Sequence, residues 1–237
     1  MSCILHIETS TQVCSVAVSQ DGMCLFDKTD YEGPSHAQVL APFVDEALSF
    51  AESHAIPLDA VAVSCGPGSY TGLRIGVSTA KGVCMGRGAK LLSVPTLQTL
   101  AVPVLLYHDE LPDDALLCPM IDARRMEVFT AVYDLALNEV MPNQAMILDE
   151  NSFADLLESR KLHFMGNGAD KASDLIKSQN AEFTLGIRPN AADMIALSDK
   201  AFRENDFLDL AYSTPNYIKK FHTTTPKKNV LGCQPTK

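Results

Sequence analysis

Val61-Ala-Val-Ser-Cys-Gly-Pro-Gly-Ser-Tyr-Thr-Gly-Leu-Arg-Ile-Gly76 joins a strand, a tight turn and a helix in one short run. The apolar, β-branched segment Ala60–Ser64 reads as a buried strand. Residues 71–85 read as a helix. Between them Gly66-Pro-Gly-Ser-Tyr70 forms a turn whose glycines allow backbone angles closed to other residues. A glycine turn feeding a helix N-terminus leaves N–H groups pointing outward with the helix dipole behind them, which suits a phosphate or carboxylate. Ser69 and Thr71 add hydroxyls. No Gly-Lys-Ser/Thr follows, so the turn is not a Walker A loop, and Gly66, Gly68 and Gly72 miss the G-x-G-x-x-G register by one residue.

The helix carries a second pattern. Gly72, Gly76, Ala80 and Cys84 recur at every fourth position, although each helical glycine costs about 1 kcal/mol relative to alanine. Such a ridge admits close approach of another backbone. It serves either tight packing inside the domain or contact with another subunit.

The rest of the chain sets the limits. Its 237 residues, 46% hydrophobic and 20% charged, suffice for one large domain or two lobes with separate cores. No apolar run reaches membrane-spanning length. The chain opens directly on a strand-like Cys3-Ile-Leu-His-Ile7, leaving no room for a signal peptide. Seven scattered cysteines without a C-x-x-C pair read as buried apolar residues or free thiols, so a cytoplasmic protein is expected. A net charge of −10 repels nucleic acid over most of the surface. The tail is the exception: no acidic residue follows Asp209, whereas Lys219, Lys220, Lys227, Lys228 and Lys237 do. It reads as a solvated extension, with an RNA-touching arm as the alternative.

In chain order, strands are expected at 3–7, 13–19 and 23–29, the last two joined by a Gln20-Asp-Gly22 turn. Glu8-Thr-Ser-Thr11 after the first strand is either a polar turn or the place where a nucleotide-binding fold puts a magnesium or phosphate contact. Ser35-His-Ala-Gln38 resembles a capping box opening a helix to His54, with an apolar face of Val39, Leu40, Phe43, Val44, Ala47, Leu48 and Ala51. His36 reads as a capping or surface residue. A strand at Lys90–Val94 leads to a helix beginning at Pro95 and ending near Pro103 or at Tyr107. The acidic, proline-containing segment 107–114 marks a lobe boundary, giving lobes at 1–107 and 108–218 and a basic tail at 219–237. The second half repeats the theme. Strands at 115–121, Glu127–Tyr133 and Glu139–Ile147 precede a helix at 152–160 and a strand at Leu162–Met165. A glycine turn, Gly166-Asn-Gly168, then opens a helix at 170–178, and 191–204 is helical. Two lobes of one topology follow from this order.

Several segments together, in order, resemble the TsaB (YeaZ) family over residues 1–218. They are Ile4-Leu-His-Ile-Glu-Thr-Ser10, Ser35-His36, Ser64-Cys-Gly-Pro-Gly-Ser-Tyr-Thr-Gly-Leu-Arg-Ile-Gly76, Ser93-Val-Pro-Thr96, Asp122-Ala-Arg124 and Gly166-Asn-Gly168. The resemblance implies an α/β fold of the actin/Hsp70/sugar-kinase-like (ASKHA) kind, two lobes each built on a mixed five-stranded sheet with flanking helices. It implies a non-catalytic dimerisation subunit in formation of threonylcarbamoyladenosine beside the tRNA anticodon. Its implied partners are a TsaD-like catalytic paralogue and a TsaE-like ATPase, tRNA is reached through the complex, and a homodimer forms without the partner. No membrane is involved. Pairing runs through the first two helices, which makes His36, Leu40, Phe43, Arg74, Gly76, Thr79, Ala80 and Val83 the interface candidates. The phosphate- or nucleotide-loop candidates are Glu8, Thr9, Ser10, Gly66, Gly68, Ser69, Thr71 and Gly72.

The catalytic paralogue carries an H-x-x-x-H metal pair near the helix after Lys90–Val94, a spacing that puts two imidazoles on one helix face. Here that region reads Pro95-Thr-Leu-Gln-Thr-Leu100, and none of the histidines at 6, 36, 54, 108, 163 and 222 lies four residues from another. No catalytic residue and no metal ligand is therefore assigned, and no cofactor is required. Weak ATP or ADP binding with Mg stays open, with Glu8 where ATP-hydrolysing members of the fold carry aspartate. The rival readings are an ATP-dependent phosphotransferase of the sugar-kinase type and a peptidase, for which H-E-x-x-H and G-x-S-x-G are both absent.

Overall fold

The computed structural model describes residues 2–33, 36–107 and 111–219. Strand β1 (Cys3–Glu8) is buried along its whole length, as a central strand covered on both faces must be. It pairs antiparallel with β2 (Cys14–Gln20), which pairs antiparallel with the edge strand β3 (Met23–Asp30). On its other side it pairs in parallel with β4 (Ala60–Ser64), and β4 with β5 (Lys90–Val94). The second sheet repeats this plan: β6 (Leu116–Asp122), β7 (Glu127–Tyr133) and β8 (Glu139–Ile147) form the antiparallel part, while β9 (Leu162–Met165) and β10 (Ala181–Thr184) are parallel to β6. The orders β3-β2-β1-β4-β5 and β8-β7-β6-β9-β10 correspond strand for strand. The expected two lobes, each a mixed five-stranded sheet with flanking helices, are present.

Strand β10 has no counterpart among the sequence expectations. Its four residues are all half-buried, and it exists because β9 offers it a pairing edge. The helix expected at 152–160 shortens to α4 (Ala154–Leu157), entered through Phe153 at φ 64°. The other helices hold with shifted ends: α1 (His36–Ser53), α2 (Tyr70–Arg87), α3 (Thr96–Tyr107), α5 (Ala169–Leu175) and α6 (Ile195–Arg203), the last preceded by a 3₁₀ turn at Ala192–Met194. Helix α3 runs through Pro103 to Tyr107. Ser35 of the expected capping box, His108 and the tail from Lys220 lie outside the described residues.

The first sheet buries Leu5, Ile7, Val16, Val18, Val61 and Val63 against Leu40 and Val44 of α1 and Val77 and Ala80 of α2. Its other face, with Ile4, Ala62, Leu92 and Val94, is covered by Met194 and by Leu197, Ala201 and Phe202 of α6. Conversely, Leu97, Leu100 and Val104 of α3 pack on Leu117, Ile121 and Met165 of the second sheet, whose opposite face receives α4 and α5. Against the expected lobes at 1–107 and 108–218, α3 packs on the second sheet and α6 on the first. Each sheet has two apolar faces, and the chain crosses twice to cover them.

Candidate functional site

The glycine signature is spent largely on packing. Gly66 adopts φ +113°, and Cys65 N–H and Thr96 N–H tie the loop to its surroundings through Val94 O and Gly66 O. The Gly66–Pro67 peptide is cis. Ser69 caps α2, its hydroxyl accepting from Gly72 N–H at 3.3 Å, while Ser69 N–H donates to Ser10 O at 2.6 Å. A Cβ at Gly68 would lie 2.3 Å from Ser10 O, one at Gly72 2.1 Å from Thr9 O, and one at Gly76 2.3 Å from Thr9 Oγ1. Thr9 Oγ1 in turn donates to Gly72 O at 2.9 Å. The turn after β1 therefore lies flush on the start of α2, and only glycine leaves room for it.

This corrects part of the expectation for an anion cradle, because Ser69 N–H and Gly72 N–H already have partners within the protein. The glycine ridge also takes the internal alternative. Gly76 and Ala80 face β1 and β4, and Leu40 is 1% exposed in the same core. His36 is buried too, its Nε2 lying 3.1 Å from Val13 O. Of the interface candidates, Arg74 is exposed and stands over the Tyr70 ring at 4.6 Å, while Phe43, Thr79 and Val83 are half-buried. The outward side of α2 instead presents Ser78, Gly82 and Gly86. A Cβ at either glycine would meet no atom of the described residues within 4 Å, and Met85 beside them is 75% exposed.

Between the lobes lies a cleft of about 690 Å³. One wall is formed by Ser10, Thr11 and Gln12 after β1, by His36, and by Gly68–Gly72 with Ile75 of α2. The other carries Asp122, Arg124, Phe129 and Asn167. Among the nucleotide-loop candidates, Ser10, Gly68, Ser69, Thr71 and Gly72 line this cleft, whereas Glu8, Thr9 and Gly66 do not.

Glu8 is wholly buried at the end of β1. Its Oε1 accepts from Ser10 N–H at 2.5 Å, and Oε2 makes no hydrogen bond of ordinary geometry to a described residue. Burial pushes its pKa up to about 7, and hydrogen bonds from Ser10 and Ser64 offset this only in part. Asp193 of the 3₁₀ turn adds like charge, and burial raises its own pKa to about 6.

On the second wall the β6–β7 connection holds Arg124 and Arg125 at φ 71° and 52°, in the left-handed region. Lys171 of α5 fixes this loop by donating to Asp122 Oδ1 at 2.5 Å, Arg125 O at 2.8 Å and Glu127 O at 2.5 Å. Asp122 Oδ1 also accepts from Arg124 N–H, and Asp122 N–H donates to Asn167 Oδ1 at 3.0 Å. The second glycine turn does for β6 what the first does for β1: Gly166 has φ +94°, and a Cβ there would lie 2.3 Å from Met120 O. Arg124 lines this cleft together with Ser69 and Thr71, and its guanidinium makes no hydrogen bond or ion pair to another described residue. Arg124 and Asn167 were not among the candidates, although Asp122-Ala-Arg124 and Gly166-Asn-Gly168 stand in the sequence as the two connections with unusual composition. Among the described residues, no three His, Cys, Asp or Glu side chains converge as a metal site, and no helix is long and apolar enough to cross a membrane.

The family model described as TsaD, tRNA N6-adenosine threonylcarbamoyltransferase, matches residues 32–231. The chain is 28% identical to the tRNA threonylcarbamoyladenosine biosynthesis protein TsaB of Escherichia coli, over 91% of this chain and 94% of that one. It is 29% identical to the protein of the same name from Bacillus subtilis, over 91% and 93%. Its fold is similar to that of YeaZ from Pseudomonas aeruginosa, with TM-score 0.72 and 23% identity over 92% of this chain and all of that one. A second P. aeruginosa structure, described as an uncharacterized protein with similarity to peptidase YEAZ, superposes with TM-score 0.77 at 22% identity over the same shares.

Proposed function

The chain belongs to the TsaD-type tRNA N6-adenosine threonylcarbamoyltransferase family, on the side of the TsaB (YeaZ) proteins, and we propose that it serves there as a non-catalytic subunit pairing with a TsaD-like catalytic paralogue. The observation that carries the reading is α3. The catalytic paralogue's histidine pair is expected on this helix, and Thr96–Tyr107 contains no histidine. The helix is instead filled with apolar residues that pack on the second sheet.

Pairing is assigned to the outward side of α1 and α2, where Ser78, Gly82 and Gly86 leave α2 open to a close neighbour beside Thr79 and Val83. Without the paralogue, the same face joins two copies of this chain. A TsaE-like ATPase joins the assembly, and tRNA is reached through the complex in the cytoplasm. The test is reconstitution. Purified TsaD-like and TsaE-like proteins, threonylcarbamoyl-adenylate and unmodified tRNA should give modified tRNA only when this chain is added, and this chain alone should give none. Gly82→Leu should abolish association while leaving the fold intact. Modification that proceeds equally without the chain refutes the assignment.

A second reading, an ATP-dependent phosphotransferase, is favoured by the cleft, which Arg124 lines together with Ser69 and Thr71. It predicts weak ATP or ADP binding with Mg and ATP turnover by the chain alone, lost in Arg124→Ala. Absence of turnover removes it.

A further inference from the structure

The last described segment, residues 211–219, is built into the fold. Lys81 of α2 donates to Ala211 O at 3.3 Å and Ser213 O at 2.8 Å, anchoring it along α2. Asn216 N–H donates to Cys65 O at 2.7 Å, and Asn216 O occupies the space a Cβ would need at Gly66, 2.6 Å away. Gly66 thus answers to this segment, not to a ligand. Beyond it the chain touches both walls of the cleft. The Tyr217 ring lies against Tyr70 with centroids 4.8 Å apart, and Tyr70 lines the wall of the first lobe. Lys219 pairs with Glu127 of β7 and stands 6.0 Å from the ring centre of Phe129, which lines the opposite wall.

We propose that residues 211–219 act as a latch across the interlobe cleft, coupling the glycine loop of one lobe to the β6–β7 hairpin of the other and restricting lobe opening and access to the cleft. The lobes are joined elsewhere by α3 and by the 190–194 crossover, where Asn190 bonds Thr29 and Ala191 N–H bonds Ser15. The latch adds a non-covalent tie that can release while those remain.

Hydrogen exchange on the full chain tests this, read separately at residues 66–72 and 122–129. Lys219→Glu breaks the contact on the second lobe, and Asn216→Pro removes the N–H that binds Cys65 O on the first. Each should speed exchange in both segments, Lys219→Glu by about two- to fivefold, the range expected for one exposed ion pair. The charge swap Lys219→Glu with Glu127→Lys should restore the parent rates in both. Changes confined to the lobe carrying the substitution, or a swap that fails to restore, would overturn the latch.

Discussion

Helix α2 carries glycines on two sides, and they should respond oppositely to the same substitution. In Gly72→Ala the new methyl falls 2.1 Å from Thr9 O, whereas a carbon and a carbonyl oxygen rest at about 3.3 Å. The turn after β1 must then move by about an ångström. It is held by Ser69 N–H to Ser10 O and by Thr9 Oγ1 to Gly72 O. Losing one such bond costs about 1 kcal/mol, and overpacking adds about 1–3 kcal/mol. The better helix propensity of alanine returns at most about 1 kcal/mol. The net expectation is a loss of about 2 kcal/mol, or a urea midpoint lowered by about 0.7 M at a slope near 3 kcal/mol/M. In Gly82→Ala no atom of the described residues lies within 4 Å of the methyl, so only the propensity term acts, and the midpoint should rise by about 0.3 M. Urea titrations followed by far-ultraviolet circular dichroism, with unchanged slopes, measure both. A Gly72→Ala protein as stable as the parent would show that the ridge is not what seats the first strand's turn on α2.

Three further outcomes follow from buried charge. Burial lowers the pKa of His6 to about 3, and its ring nitrogens meet Ser19 Oγ at 2.8 Å and Ser198 Oγ at 3.3 Å. The unfolded chain binds this proton near pH 6.5, so His6 should make stability fall by up to about 1.4 kcal/mol per pH unit between pH 6.5 and 3, a slope that shrinks in His6→Gln. Glu8 acts in the opposite sense. Its folded pKa of about 7 lies above the unfolded value of 4.5, so its contribution is complete below pH 4.5 and is lost as pH rises through 7. The stability of Glu8→Gln relative to the parent should therefore increase from pH 5 to pH 8 in thermal melts. Lys171→Met removes the donor shared by Asp122, Arg125 and Glu127, and should cost about 1–3 kcal/mol. Faster hydrogen exchange in residues 122–127 should accompany that loss, and an unchanged loop would show that Arg124 and Arg125 are held by other contacts.

Much of the fold was legible locally. Short apolar and β-branched runs bounded by turns located β1 to β9, because a strand's burial leaves its mark in consecutive residues. Strand β10 left too little pattern in four half-buried residues, since pairing with β9 rather than composition makes it a strand. The candidate site was legible in halves. Glycine turns before α2 and α5 were visible, but their purpose was not, because a glycine chosen for a phosphate and one chosen for a neighbouring carbonyl look alike in the sequence. Only the positions of Thr9 O, Ser10 O and Met120 O separate them.

The sequence by itself determined the element order, the doubled plan of the lobes, the family likeness and the missing histidine pair of α3, all properties of residue type and spacing along the chain. Tertiary structure alone decided that α3 and α6 exchange lobes and that Gly76, Ala80 and Leu40 turn inward while Gly82 and Gly86 stay open. It also decided that Arg124 shares a cleft with Ser69 and Thr71, and that residues 211–219 reach both of its walls. The reason is that periodicity reports how much of an element is buried, whereas the identity of the covering surface depends on contacts between residues far apart in the chain.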